Sequence, residues 1–279
     1  RARLSKNAIT AMERLEEAGY EAYIVGGSLR DILMGREVHD FDVTSSARPD
    51  EVMKVFSGFN VIPTGLKHGT VTVLIEDEPV EITTFRSESG YSDGRHPDRV
   101  SFAKSVEDDL GRRDFTMNAM ACRINGDIVD LFGGQNDIEN KLIRTVGDAK
   151  DRFSEDGLRI LRAIRFAAVL GFEVEAGTRD AIHQLGHMIE KVSEERIVSE
   201  FNKIMLSENP STYLREYKDI ICIFIPELEA CIGFDQKNRH HVHDVFEHTI
   251  RVVDNTPPKL NLRLAALFHD ISKPICFEI

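Results

Sequence analysis

From about residue 137 the chain changes character, and this change limits what it can fold into. Before that point, β-rich runs alternate with segments of helical periodicity. Beyond it, residues 137–206 and 211–279 carry apolar residues at helical spacing, with breaks at Pro226 and at Pro257-Pro258. The fold class is therefore read as α+β: a mixed sheet with helices in front, all-α behind. A length of 279 residues suits two or three domains. The boundaries are expected at 1–138, 139–208 and 209–279.

Composition excludes several classes. With 42% apolar and 29% charged residues the chain is globular rather than disordered. No apolar run of about 18 residues is present, which excludes a membrane helix. The first nineteen residues, RARLSKNAITAMERLEEAG, are amphipathic and lack the apolar centre of a signal peptide. Cys122, Cys222, Cys231 and Cys276 lie far apart without a C-x-x-C pair, so they read as reduced thiols. A cytoplasmic location without membrane partners is expected. The net charge of −12 weighs against a nucleic-acid partner, but it is unevenly spread. Residues 1–140 hold 16 Lys and Arg against 25 Asp and Glu, whereas residues 141–218 hold 13 of each. The acidity is concentrated where metal-binding carboxylates would account for part of it.

Within the first half, a helix is expected over 4–18, with Ile9, Met12 and Leu15 on one face and Gly19 as its stop. A strand over 21–25 runs into Gly26-Gly27-Ser28 and a helix at 28–34. A second strand passes through Asp40-Phe41-Asp42-Val43, and 71–75 with 80–85 form a hairpin. Residues 87–99 are expected to form a mobile loop.

The candidate chemistry lies in G-G-x-x-R-D followed by D-F-D. Residues i and i+2 of a strand share a face, so Asp40 and Asp42 would present two carboxylates to one point. They repel unless a cation holds them, and paired Asp oxygens suit a hard ion such as Mg²⁺ that also takes substrate phosphates. Gly26 and Gly27 allow close approach to a phosphate, Ser28 adds a hydroxyl donor, and a helix N-terminus favours anions. Glu81, in the middle of VEITTF, is a candidate third carboxylate. A phosphate cradle beside paired carboxylates implies nucleotidyl transfer by two metals. Taken singly, each feature also reads as an ordinary exposed strand or turn residue.

GGSLRDILMGREVHDFDVTSSARPDEV resembles motif A of the class II tRNA nucleotidyltransferases, the bacterial CCA-adding enzymes and poly(A) polymerases. The resemblance continues in order through HGTVTV, VEITTFR, RRDFTMNAMA and EDGLRILRAIRFAAVLGF. It implies a polymerase-beta-like head, a helical neck that recognises the base, and a helical body. It implies that Asp40 and Asp42 bind two Mg²⁺ ions, with Glu81 as the third carboxylate. Gly26, Gly27, Ser28 and Arg30 would bind the triphosphate, and Arg113 with Asp114 the ribose. Asp156 and Arg159 would read the incoming base, and Arg162 and Arg165 would meet phosphates. Without the family, Arg112-Arg113-Asp114 reads as a surface salt bridge. Likewise EDGLR reads as an acidic first helical turn with an i,i+4 pair between Glu155 and Arg159, and Arg165 as a solvated helix end.

The implied activity is CCA addition to tRNA from CTP and ATP, with no DNA partner. RSESGYSDGRHPDRVSF resembles the flexible loop of relatives that add the terminal A, which lowers a CC-only reading. A-only addition and poly(A) synthesis stay open. His243, Asp244, His248 and His269-Asp270 resemble the start of an HD domain, with His248, His269 and Asp270 matching best. They offer a possible second metal site and, as an alternative function, a phosphohydrolase; they also read as core or cap residues of a helical body. The stop at Ile279 would halve such a domain, so the chain reads as trimmed. A non-catalytic RNA-binding protein would be expected to lack Asp40 or Asp42, and both are present.

Overall fold

The computed structural model describes residues 5–38, 40–66, 69–89, 99–235 and 243–276. Contacts group these into two units that meet in sequence between Asp148 and Ala149. Each unit is described in turn.

The first unit opens with α1 (Lys6–Glu17), capped by the Ser5 hydroxyl, which accepts from the Ala8 N–H. Its buried stripe, Ala8, Ala11, Met12 and Leu15, follows helical spacing. Gly19, at φ +88°, takes the left-handed turn that ends the segment. There follow β1 (Ala22–Val25), α2 (Gly26–Leu33), β2 (Phe41–Ser45) and α3 (Pro49–Val55). Next are β3 (Asn60–Gly65), β4 (Thr70–Ile75) and β5 (Glu78–Thr84). A ribbon of β6 (Arg86–Ser89) and β7 (Arg99–Phe102) precedes α4 (Val106–Gly111). The last elements here are β8 (Met120–Cys122), β9 (Ile128–Asp130) and α5 (Gly134–Glu139). Seven strands form one sheet in the order β3-β4-β5-β2-β1-β8-β9. β2 runs antiparallel to β1 and parallel to β5.

Alternation along the strands separates a core from a working face. Val43 sits opposite Ile82, and both are buried with Leu15, Val52, Phe56 and Val73. One residue earlier, Asp42 sits opposite Glu81 on the other face. That face is covered in part by α4, where Tyr23, Val25, Phe85, Val106 and Leu110 pack together.

The structure differs from the sequence reading in several places. β2 begins at Phe41, so Asp40 precedes the strand instead of lying in it. α2 begins at Gly26, two residues before the expected start. β3 was not expected, because Asn60, Pro63 and Gly65 dilute its apolar pattern. The flanks of the expected 87–99 loop pair as β6 and β7, and residues 90–98 lie outside the described residues.

The second unit contains α6 (Ala149–Glu155), α7 (Leu158–Leu170), α8 (Ala176–Leu185), α9 (Glu194–Met205), α10 (Pro210–Glu216) and α11 (Lys218–Phe224). It continues with α12 (Val245–Asp254), α13 (Leu260–Phe268) and α14 (Lys273–Cys276). Phe201, Met205, Leu214, Ile221, Val245, Ile250 and Leu267 share its core. Arg263 is buried there, and its Nη1 donates to the Met205 and Ser207 carbonyls at 2.6 Å each. It thus satisfies carbonyls that α9 leaves open at its end. Among the described residues no helix is long and apolar enough to cross a membrane, and all four cysteines are free thiols.

Leu15 is fully buried between α1 and the sheet. Leu15→Ala is expected to lower unfolding free energy by about 2–5 kcal/mol, read by urea denaturation, because the site cannot close around the lost methyl groups.

Candidate functional site

Parallel pairing of β2 with β5 builds the acidic centre. Asp42 and Glu81 are direct neighbours across the two strands, and Asp40 lies at the entry to β2. All three are exposed to solvent. The protein around the Asp42 carboxylate nevertheless raises its pKa by desolvation. Glu81 adds to the rise, Arg113 opposes it, and Asp40 adds again. Negative charge gathered at such a point fits a divalent cation with oxygen ligands.

The turn beside it brings backbone close to the acids. Gly26 has φ +70°, a conformation that favours glycine. A β-carbon there would stand 3.1 Å from Arg113 Nη1 and 3.6 Å from Asp42 Oδ2. Gly27 follows in the first turn of α2. Ser28, expected to offer its hydroxyl outward, is buried and donates to the Val25 carbonyl at 2.7 Å. The helix takes this proton because α2 starts early, leaving the hydroxyl within reach of the last carbonyl of β1.

Arg30 and Asp114 belong to one network. Arg30 is buried, with Nε and Nη2 donating to both Asp31 oxygens at 3.0 and 2.8 Å. Its Nη1 donates to Asn118 Oδ1 at 2.9 Å, and Asn118 Nδ2 donates to Asp114 Oδ1 at 3.2 Å. Asp114 also accepts from the Phe115 N–H at 2.8 Å. Asp31 and Asn118 were not singled out from sequence, although both lie inside the quoted motifs.

Arg113 is not a surface salt bridge. Its Nη2 donates to Asp109 Oδ2 at 3.0 Å, and Asp109 is fully buried. Arg113 Nε is buried without a hydrogen-bond partner among the described residues. A guanidinium whose Nη1 stands at the Gly26 turn fits an anionic or hydroxyl-bearing ligand.

In the second unit, EDGLR joins two helices, and its Leu158 and Arg159 open α7 as expected. Glu155 closes α6, and Gly157 links it to α7. A β-carbon at Gly157 would lie 2.4 Å from the Met188 carbonyl oxygen, so only glycine fits this approach. Arg159 Nη1 donates to Glu155 Oε2, the i,i+4 pair expected from spacing, and to the Arg152 carbonyl at 3.2 Å. Asp156 is gripped by Arg196 of α9, with Nη2 to Oδ2 at 2.6 Å and Nη1 to Oδ1 at 3.3 Å. Asp156 Oδ1 also accepts from the Leu158 N–H at 3.0 Å. Arg196 was missed from sequence, since nothing local links it to Asp156. Arg162 lies 5.5 Å from the centroid of Phe166. Arg165 stacks on the same ring at 3.5 Å and donates from Nε to Glu200 Oε2 at 2.7 Å. It is thus tied into the interior and is not a solvated helix end.

A second cluster lies in the same unit. His248, His269 and Asp270 bring one ligand atom each within 4.8 Å of one another. His269 Nε2 stands 3.2 Å, and His248 Nε2 3.6 Å, from Asp270 Oδ2. His269 Nδ1 sits 2.7 Å from the Ala266 carbonyl, a contact that turns Nε2 toward the cluster. Asp244 stays apart: its oxygens cap α12 through the Glu247 N–H at 2.6 Å and accept from the Gly233 N–H at 2.7 Å. His243 is exposed in the turn before it.

Comparison with known proteins places this geometry. Residues 22–144 match the model of the poly A polymerase head domain, and residues 171–231 match a probable RNA- and SrmB-binding site of polymerase A. The chain is 49% identical to a CCA-adding enzyme of Ligilactobacillus salivarius over 77% of this chain and 52% of that protein. Among solved structures, it is similar to the Bacillus stearothermophilus CCA-adding enzyme in complex with CTP. That match has 41% identity and a TM-score of 0.69, and covers 76% of this chain and 51% of that one. It is also similar to a tRNA nucleotidyltransferase complexed with a primer tRNA and an incoming ATP analog. There the identity is 31% and the TM-score 0.66, over 87% of this chain and 67% of that one. The chain spans about half the length of the curated relatives it matches. By these matches the chain belongs to the tRNA nucleotidyltransferase family of CCA-adding enzymes and poly(A) polymerases.

Proposed function

We propose that this chain carries the chemistry of a template-independent tRNA nucleotidyltransferase, which adds CCA to tRNA from CTP and ATP and releases pyrophosphate. The observation that carries this reading is the register of Asp42 against Glu81, with Asp40 beside them and Arg113 at the Gly26 turn. In this reading residues 1–138 act as the head, 139–208 as the neck and 209–279 as the body. The names of the relatives, and the complexes of solved ones with CTP, an ATP analog and tRNA, support the choice of substrates.

Asp40, Asp42 and Glu81 are the residues that would hold two Mg²⁺ ions. When bound, these supply a Lewis acid for the attacking hydroxyl and charge neutralisation for the leaving pyrophosphate. The chain's own groups do the rest. Gly26 and Gly27 let the backbone of the turn approach the triphosphate. Arg113 meets the nucleotide beside Asp42, and Arg30 with Asp114 keeps the turn and the ribose-binding segment in one hydrogen-bonded frame. Asp156 and Arg159 read the base edge. Cytosine and adenine both present an amine donor beside a ring-nitrogen acceptor, which a carboxylate and a guanidinium match. Uracil and guanine present the reverse and would leave charged groups unpaired. Asp156 keeps acceptor capacity for this, because each carboxylate oxygen can take about two hydrogen bonds.

Two substitutions test the assignment in the full-length protein. Asp42→Ala is expected to cut CMP incorporation by more than the about 10–100-fold typical of losing an outer-shell partner of a metal, with circular dichroism unchanged. Retained incorporation removes Asp42 from the metal site. Asp156→Ala is expected to shrink the preference for CTP and ATP over UTP by about tenfold or more, read from kcat/KM on a CC-ended and an unextended tRNA. On the same RNAs, growth to CCA followed by arrest supports the proposed activity. A added only to the CC end means an A-adding enzyme, and continued A addition a poly(A) polymerase.

A second reading rests on the convergence of His248, His269 and Asp270. We infer that these three hold a divalent ion, whose chemistry would be phosphoester hydrolysis. His269→Ala is expected to lower bound Mn²⁺ by one ion per chain in equilibrium dialysis, leaving nucleotide incorporation in place. An unchanged ion count removes this site.

A further inference from the structure

Asp109 is fully buried, yet its carboxylate carries two guanidiniums. The two oxygens have different work. Oδ1 accepts from Arg112 Nε and Nη2 at 3.1 and 2.9 Å, and from the Arg86 N–H at the root of β6 at 3.3 Å. Those partners tie α4 to the ribbon and make a structural joint. Oδ2 accepts from Arg113 Nη2 at 3.0 Å. On the other side of that guanidinium, Nη1 lies against Gly26 in the neighbourhood of Asp42 Oδ2. Burial alone would raise the Asp109 pKa, but Arg113 and then Arg112 outweigh it, so the carboxylate stays ionised.

A free arginine side chain has rotamer entropy to lose when a ligand fixes it. A buried, charged acceptor removes that loss beforehand, and it does so without touching the ligand. We propose that Asp109 is a positioning residue that fixes the Arg113 guanidinium at the Gly26 turn and thereby sets nucleotide affinity. This rests on Arg113 meeting the nucleotide, as proposed above.

Arg112 supplies the control, because it loads the same buried carboxylate from the other oxygen. Asp109→Asn keeps an acceptor for Arg112 and turns an amide donor toward Arg113; Asp109→Glu keeps the charge and shifts it by one methylene. Binding of CTP with Mg²⁺ is measured by calorimetry on the full-length protein, alongside melting temperature. Loss of a charge-assisted hydrogen bond predicts a Kd raised about tenfold or more in either Asp109 variant, and a change of less than about threefold in Arg112→Met at a comparable loss of melting temperature. If Asp109→Asn does not fold, Asp109→Glu carries the comparison. Combined with Arg113→Met, the Asp109 change is expected to add less than about twofold, since its route is already gone. Equal weakening by Arg112→Met and the Asp109 variants, or full additivity with Arg113→Met, overturns the proposal. An unchanged Kd in Arg113→Met alone instead overturns the placement of Arg113 at the nucleotide.

Discussion

The pairing of β2 with β5 is the constraint on which the rest of the first unit depends. Because the strands are parallel and in register, one step along them exchanges a core pair, Val43 and Ile82, for an acidic pair, Asp42 and Glu81. Packing of the core therefore fixes the acids. A slip of one residue would bury two carboxylates and expose two branched apolar side chains, so the register that folds the sheet is also the one that builds the centre. The cost is visible in the raised pKa of Asp42, which burial and neighbouring acids push toward the neutral form. The site is strained electrostatically, and a divalent cation bound there, as proposed, would relieve it.

Within each unit the protein repeatedly uses a carboxylate to aim an arginine. Asp31 holds Arg30, Asp109 holds Arg112 and Arg113, Glu155 holds Arg159, and Glu200 holds Arg165. The reverse also occurs, with Arg196 gripping Asp156. Guanidinium groups offer several donors in a rigid fork, so one edge can be anchored while another stays available. The proposed binding of phosphates by a chain of net charge −12 would rest on such anchored guanidiniums. Part of its acidity is not on the surface but set against buried or half-buried arginines.

Legibility from sequence followed the range of the interaction. Period-two and helical patterns marked α1, β1, the β4–β5 hairpin and the helical second unit, because burial of one face leaves a local trace. The motifs marked Asp42, Glu81, Gly26 and Arg113. What was not legible depended on partners distant in sequence. Asp42 and Glu81 are 39 residues apart and meet only through the register. Arg196 reaches Asp156 from 40 residues away, and Asn118 reaches Arg30 from 88. Local geometry also misled in part. Asp40 and Asp42 have strand spacing, but the strand begins between them. EDGLR has the look of a helix start, and α7 does open at Leu158, but Glu155 closes the helix before it.

Base selection by Asp156 and Arg159, as proposed above, would follow from the same use of fixed partners. A carboxylate free in solution accepts from any donor that reaches it, and an unanchored guanidinium turns to whatever acceptor is present; neither discriminates well. Asp156 is held by Arg196 through both oxygens, and Arg159 by Glu155 and the Arg152 carbonyl. Each keeps only part of its hydrogen-bonding capacity, in a direction set by the partner. A base whose donor and acceptor are exchanged then cannot be met by rotation of either side chain, because rotation would break an ion pair that is largely out of water. The selectivity of such a pair comes as much from the charges that restrain Asp156 and Arg159 as from those two groups themselves. On this argument, and on the proposed base-reading role of Asp156 and Arg159, Arg196 and Glu155 would contribute to specificity without touching a base.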